Sequence, residues 1–303
     1  MQGGHSAERI KENGWPHERF CRGCSGGVVV LHGWPLVLRV EATRMREAPT
    51  KPAGRLLRGP PAYEPLTPWR AGPALAASVA IVGLAFLAAW LAPRVLHLGG
   101  GATAMPNPVH PEIPASSLWV VAIFQIVAVA LTLLASVAFG GRLRDVLALR
   151  RAAGGWRAYA GAILAMVALQ VVAGAVTYSL IEHDMLADLR PFVGLVSGPY
   201  WPLAAAVLGI GAPLSEELLF RGFLLGALAK SPLGFWGAAL ISTLLWTGLH
   251  AGYSLVGLAE VFAIGLLLSW LLWRTGSLWV TIFCHGLYNS LVAVALRLAD
   301  LQV

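Results

Sequence analysis

Six polar residues near the C-terminal end of this 303-residue chain have the types and spacing of a hydrolytic site: Glu216, Glu217, Arg221, His250, His285 and Asn289. They fall on three separate apolar stretches. Burying such groups in hydrocarbon costs several kcal/mol each unless they meet one another or water. Three membrane helices that bring them to one polar point account for them most economically. Within Glu216-Glu217-Leu218-Leu219-Phe220-Arg221, residues four apart share a helix face, so Glu217 and Arg221 can pair. Glu216 points about 100° away. Without that partner its carboxylate is free to take a proton, which suits a general base. His285 and Asn289 are also four apart and can donate two hydrogen bonds to one oxygen, the geometry of an oxyanion hole.

Each motif also has a purely structural reading. Both carboxylates could neutralise Arg221 and brace two helices. His250, at the end of Trp246-Thr247-Gly248-Leu249-His250, could bond a backbone carbonyl, and His285 with Asn289 could tie helices together. Glu260, near the start of a later apolar stretch, could snorkel or cap. Cys284 adjoins His285, but adjacent helix positions do not face each other. Cys21-x-x-Cys24, flanked by His17 and His32, has no second pair to complete a zinc site.

The elements that must position these residues are membrane helices. The chain is 57% hydrophobic and 12% charged, with a mean hydropathy of +0.69, whereas globular domains carry about 25% charged residues. A net charge of +7 and a pI near 9.8 do not imply a nucleic-acid partner, because the arginines cluster beside apolar segments and read as topology signals. The fold class expected is all-α, a polytopic transmembrane bundle of about seven spans: Pro73–Leu91, Leu118–Gly140, Tyr159–Ile181, Tyr200–Ala229, Leu233–His250, Leu255–Trp273 and Leu278–Leu296. Each is close to the roughly 20 residues needed to cross a bilayer. Gly99–Pro114 reads as a loop.

Arg142, Arg144, Arg150, Arg151 and Arg157 crowd one loop between the second and third spans. The positive-inside rule places that loop, and hence the N-terminus, in the cytoplasm. Lys51, Arg55, Arg58, Arg70, Lys230 and Arg274 agree; the acidic Glu182, Asp184 and Asp188 fall outside, as does the C-terminus. Localisation to a bacterial inner membrane is expected. The organisation expected is a disordered extension over residues 1–70, three helices over 71–198 and a site-bearing core over 199–297. Met45 is an alternative start. Depth strains the scheme: at a 1.5 Å rise, Glu216, His250 and His285 lie about 20, 25 and 10 Å into their helices.

Glu-Glu-x-x-x-Arg, aromatic-x-x-x-His and His-x-x-x-Asn, in this order on successive hydrophobic helices, resemble the CPBP family. That family contains the CAAX prenyl endopeptidases and the Abi, bacteriocin-processing membrane proteins. The resemblance covers roughly residues 199–297; Trp246 stands where the family usually has Phe. It implies an intramembrane endopeptidase acting on a protein or peptide substrate. In it Glu216 with His250 would activate the hydrolytic water, His285 and Asn289 would stabilise the oxyanion, and Glu217 with Arg221 would support the helix. Zinc held by Glu216, His250 and His285 is the alternative chemistry. The absence of a His-Glu-x-x-His helix favours a glutamate-type mechanism with no cofactor. Two other classes compete: a non-catalytic chaperone or immunity protein, and a proton-coupled transporter. No internal repeat of the transporter kind is evident.

Overall fold

The computed structural model describes residues 60–95, 117–180 and 188–298. The Cys21/Cys24 pair, the Gly99–Pro114 loop, Glu182 and Asp184 lie outside the described residues, as does the extension up to residue 59. Among the described residues the fold is all-helical: α1 Ala71–Val95, α2 Ser117–Ala138, α3 Leu143–Val146, α4 Trp156–Leu180, α5 Arg190–Ser197, α6 Trp201–Leu228, α7 Gly234–Gly248, α8 Leu255–Thr275 and α9 Leu278–Leu298. Six of these helices, α1, α2, α4, α6, α8 and α9, are long and apolar enough to cross a membrane. Their outer faces carry exposed Leu84, Phe86, Ile126, Leu164, Val171 and Leu291, which a hydrocarbon solvent would cover. The protein is an integral membrane protein. The seventh expected span, α7, has 15 residues, or about 22 Å at the helical rise. His250 lies in the turn just beyond its end.

The short helix α5 was not expected from sequence. Its Val193, Leu195 and Val196 are buried against Leu118, Ala204, Val207, Ala293 and Leu296, a small apolar cluster at one end of the bundle. Arg297 fastens it by donating from Nη1 to the Val196 carbonyl at 2.8 Å. The main core lies at the other end, around Phe223, Leu224, Leu268, Leu271, Leu272 and Leu278, all fully buried.

Helix α6 is not regular. Two stretches, Val207–Gly211 and Glu217–Leu224, are π-helical. Pro213 lacks an N–H and its ring crowds the carbonyl four residues back, so a regular turn cannot run through it. Neighbouring helices add side-chain donors to carbonyls just before this proline, as an apolar solvent favours. Gln125 of α2 donates to the Val207 carbonyl at 3.1 Å, and Asn289 of α9 donates to that of Leu208 at 3.1 Å. Gly286 lies so close that a Cβ there would be 2.7 Å from the Gly209 carbonyl oxygen; only glycine lets the two backbones approach this far. The π-helical turns take more residues per turn, which shortens α6 and eases the depth mismatch between Glu216 and His285.

The segment just before α1 corrects the expected boundary at residue 70. Residues 60–70 are packed against the bundle. Thr67 is buried and donates to the Gly226 carbonyl at 3.1 Å, and the Trp69 ring stacks on Phe223 with centroids 4.9 Å apart. The Ala62 and Tyr63 N–H groups both donate to the Trp273 carbonyl at 3.1 Å. Burial pushes the Tyr63 hydroxyl pKa well above its ordinary value. Gly276 closes α8 with φ 64°, and a Cβ there would meet the Ala62 carbonyl oxygen at 2.6 Å. Polar and proline-rich composition suggested disorder. The anchors that decide otherwise, Thr67 and Trp69, meet Gly226 and Phe223 more than a hundred residues away.

Candidate active site

α6, the end of α7, α8 and α9 converge on a cavity of about 530 Å3 lined by Glu216, His250, His285 and Asn289 together with Trp246, Tyr253 and Glu260. All four residues expected to carry the chemistry therefore border one space. Glu217 and Arg221 sit behind it with fully buried side chains.

The buried pair is the foundation. Arg221 Nη1 donates to Glu217 Oε1 at 2.9 Å, and the guanidinium lies over the Trp246 ring at 4.2 Å from its centroid. That cation–π contact matters because Arg221 Nε and Nη2 are buried without an acceptor among the described residues. Room for the guanidinium comes from Gly265 on α8. A Cβ there would stand 2.9 Å from Arg221 Nη2, 2.5 Å from Thr243 Cγ2 and 3.0 Å from Trp246 Cε3.

The pair also reaches forward. His285 Nδ1 lies 3.1 Å from Glu217 Oε1, while its Nε2 is 3.9 Å from Glu216 Oε2. A carboxylate paired with a guanidinium can only accept, so Nδ1 carries the proton. His250 is oriented in the same way: its Nδ1 lies 3.1 Å from the Trp246 carbonyl oxygen, which again can only accept. Both imidazoles thus keep Nε2 for further partners. This bond to a backbone carbonyl is the structural reading of His250, and it coexists with a place on the cavity wall.

Glu216 is held by a residue the sequence reading noted only as a departure. Trp246 Nε1 donates to Glu216 Oε2 at 2.6 Å, leaving the other carboxylate oxygen unengaged by that bond. The Glu216 side chain is 20% exposed, against 0% for Glu217. The two neighbouring carboxylates therefore differ sharply in access to the cavity.

Sequence reasoning missed several lining residues. Tyr253, in the turn before α8, is surrounded by the carboxylates of Glu216, Asp188 and Glu260; burial first, and then these charges, push its hydroxyl up to about 12, so it remains a proton donor at neutral pH. Glu260 Oε1 accepts from Tyr288 at 3.2 Å instead of snorkelling. Asp188 accepts from the Ser254 N–H at 2.8 Å and its hydroxyl at 2.7 Å, while Ser254 caps α8 through the Gly257 N–H. Tyr and Asp in loops gave no periodic signal. Cys284 points away from the cavity, donating to the Ala162 carbonyl.

Among the described residues, no three of His, Cys, Asp and Glu stand together in an arrangement that could hold a metal ion. Glu216, His250 and His285 border the same cavity without forming such a cluster.

Residues 198–291, which carry all of these motifs, match the family model described as type II CAAX prenyl endopeptidase Rce1-like. The family resemblance holds over this stretch. The CAAX-endopeptidase-like segment is 36% identical over 93 residues to a Bacillus subtilis (strain 168) protein named "Putative membrane peptidase YdiL", covering 31% of this chain and 37% of that one. It is 38% identical over 85 residues to an Escherichia coli "Uncharacterized 24.3 kDa protein", 27% of this chain and 39% of that one. A third relative, the "UPF0177 protein YxdF" of Lactococcus lactis subsp. lactis (strain IL1403), is 30% identical over 94 residues, 31% of this chain and 50% of that one. The chain thus spans half or less of the length of these curated relatives. No solved structure matches it.

Proposed function

We propose that this protein is an intramembrane endopeptidase that hydrolyses a peptide bond of a membrane-associated substrate with a glutamate-activated water. The observation that carries the reading is the pair of adjacent carboxylates in unlike settings: Glu217 buried on Arg221 and His285, Glu216 facing the cavity and oriented by the Trp246 N–H. A base must be oriented and reachable, and Glu216 is both. It takes a proton from water as the water oxygen attacks the scissile carbonyl carbon. The carbonyl electrons move onto oxygen. His285, when protonated on both nitrogens, donates Nε2–H to that oxyanion while Nδ1–H stays on Glu217. Asn289 has a second N–H beyond the one given to Leu208, and it lies one turn from His285 on the same helix. The oxyanion then re-forms the carbonyl, the C–N bond breaks, and the proton passes from Glu216 to the leaving amine. His250 Nε2 is free to accept from the attacking water.

Entry of the substrate from the bilayer is supported by the cavity's other wall. Phe86 of α1 and Val121 of α2 line it and are also exposed on the lipid-facing surface. A membrane-associated, prenylated-type segment suits that apolar flank. The Arg-rich loop supports a cytoplasmic N-terminus, and the bacterial relatives support the inner membrane. A reporter fused at residue 150 should be inactive if it requires export.

The test is cleavage of a membrane-tethered reporter peptide library by purified protein. Glu216→Gln should abolish cleavage with the fold retained, because the amide is isosteric and cannot take a proton. Undiminished cleavage by that variant defeats the reading. We propose further that the reaction needs no metal: a membrane-permeant chelator should leave the rate unchanged, and loss restored by added zinc would assign the chemistry to the metal instead.

A further inference from the structure

A second cleft, of about 490 Å3, lies at the Arg-rich face of the bundle, away from the catalytic cavity. Arg144, Leu149, Arg150, Arg151, Tyr159 and Trp279 line it. Three arginines line this space and no Asp or Glu does. The arginines were read from sequence as a topology signal, which requires only that they be on one side of the membrane and not that they converge.

The cleft is built on a fixed frame. Ala148, between Arg144 and Arg150, has φ 51°, a left-handed conformation that costs a non-glycine residue of this kind free energy. It persists because the loop is fastened to the turn between α8 and α9. The Leu278 N–H donates to the Ala148 carbonyl at 2.9 Å and the Ala153 N–H to that of Thr275 at 2.9 Å. Ser277 Oγ donates to the Arg150 carbonyl at 2.6 Å. Arg150 itself is anchored by Nη2 on the Glu64 carbonyl at 3.1 Å, yet its Nε–H is buried without an acceptor among the described residues.

The surroundings of the cleft point to the membrane interface. Trp279 at the start of α9 and Trp156 at the start of α4 are exposed at the ends of two membrane-length helices, the position of interfacial aromatic belts. Tyr159 adds a ring to the cleft wall. Guanidinium forks match phosphate oxygens bidentately, and aromatic rings at headgroup depth suit the glycerol and upper acyl region. We propose that this cleft binds a phosphate-bearing anion, and that its source is the headgroup of an anionic phospholipid in the leaflet facing the Arg-rich loop. The proposal is independent of the peptidase reading.

The test uses the full chain in a zwitterionic detergent, with its melting midpoint followed during titration. The probes are short-chain phosphatidylglycerol, short-chain phosphatidylcholine and inorganic phosphate. Phosphatidylglycerol should raise the midpoint by several degrees and saturate, as a ligand bound only by the folded state must; phosphatidylcholine should not. Arg144 and Arg151 are exposed, so the double variant R144Q/R151Q should melt normally without lipid and lose most of the rise. R144K/R151K should keep part of it, which separates lost charge from lost fold. A rise of the same size with inorganic phosphate would support the anion site and assign it to free phosphate. Equal responses to both lipids, or an unchanged response in R144Q/R151Q, would overturn the proposal.

Discussion

His285 Nδ1 stands 3.1 Å from Glu217 Oε1, so the buried Glu217–Arg221 ion pair also holds a cavity-lining imidazole. The halves of the motif proposed as supporting and catalytic are thereby one hydrogen-bonded unit. Removing the charge of Glu217 acts on both. Glu217→Gln leaves Arg221 charged in a fully buried setting, and breaking such a pair costs about 3–5 kcal/mol. The expected outcome is a lower melting midpoint and a reduced kcat, with His285 no longer anchored by charge. Glu216→Gln should lower kcat alone. Thermal unfolding of the two variants side by side separates the roles.

Asn289→Ala should reduce turnover by roughly 10²–10³-fold if its free N–H reaches the oxyanion. It also removes the donor to the Leu208 carbonyl beside the first π-helical stretch, so some stability should go with it. Asn289→Asp keeps the size and an acceptor but no N–H to give; it should be at least as inactive. Single-turnover cleavage rates, compared with KM, locate the loss in the chemical step.

Gly265 is the least obvious position that the site depends on. Gly265→Ala places a methyl group within 2.9 Å of Arg221 Nη2 and 2.5 Å of Thr243 Cγ2. Overpacking of this kind typically costs about 1–3 kcal/mol. The guanidinium must shift on Trp246, and through it Glu217 and His285. The variant should therefore lose activity out of proportion to its modest lowering of the melting midpoint, although of the three atoms nearest the new methyl only that of Trp246 belongs to a cavity-lining residue.

Trp69→Ala should destabilise the protein by about 3–5 kcal/mol, the usual range for deleting a buried aromatic side chain. It empties the stack on Phe223. A chain beginning at Met45 should retain activity, whereas one beginning at residue 71 should unfold more readily, because it also loses Thr67 and the Ala62 and Tyr63 bonds to Trp273. Denaturation of the three variants in detergent tests the boundary directly.

Hydrophobic length and helical period are local properties, and the sequence by itself determined what depends on them: membrane helices close to their observed limits, the Glu217–Arg221 pair, and the convergence of Glu216, His250, His285 and Asn289 on one site. These are effects of one-dimensional pattern, since an unpaired polar group in an apolar span has few places to go. The tertiary structure alone decided the partners. Trp246 meets Glu216 across 30 residues, His285 meets Glu217 across 68 and Thr67 meets Gly226 across 159. It likewise decided the π-helical stretches of α6, beside which Gln125 and Asn289 reach the Val207 and Leu208 carbonyls, and the packing of residues 60–70. No local pattern encodes such contacts. They exist because close-packed helices bring particular side chains within hydrogen-bonding reach, and in an apolar solvent every polar group must take the partner that packing supplies.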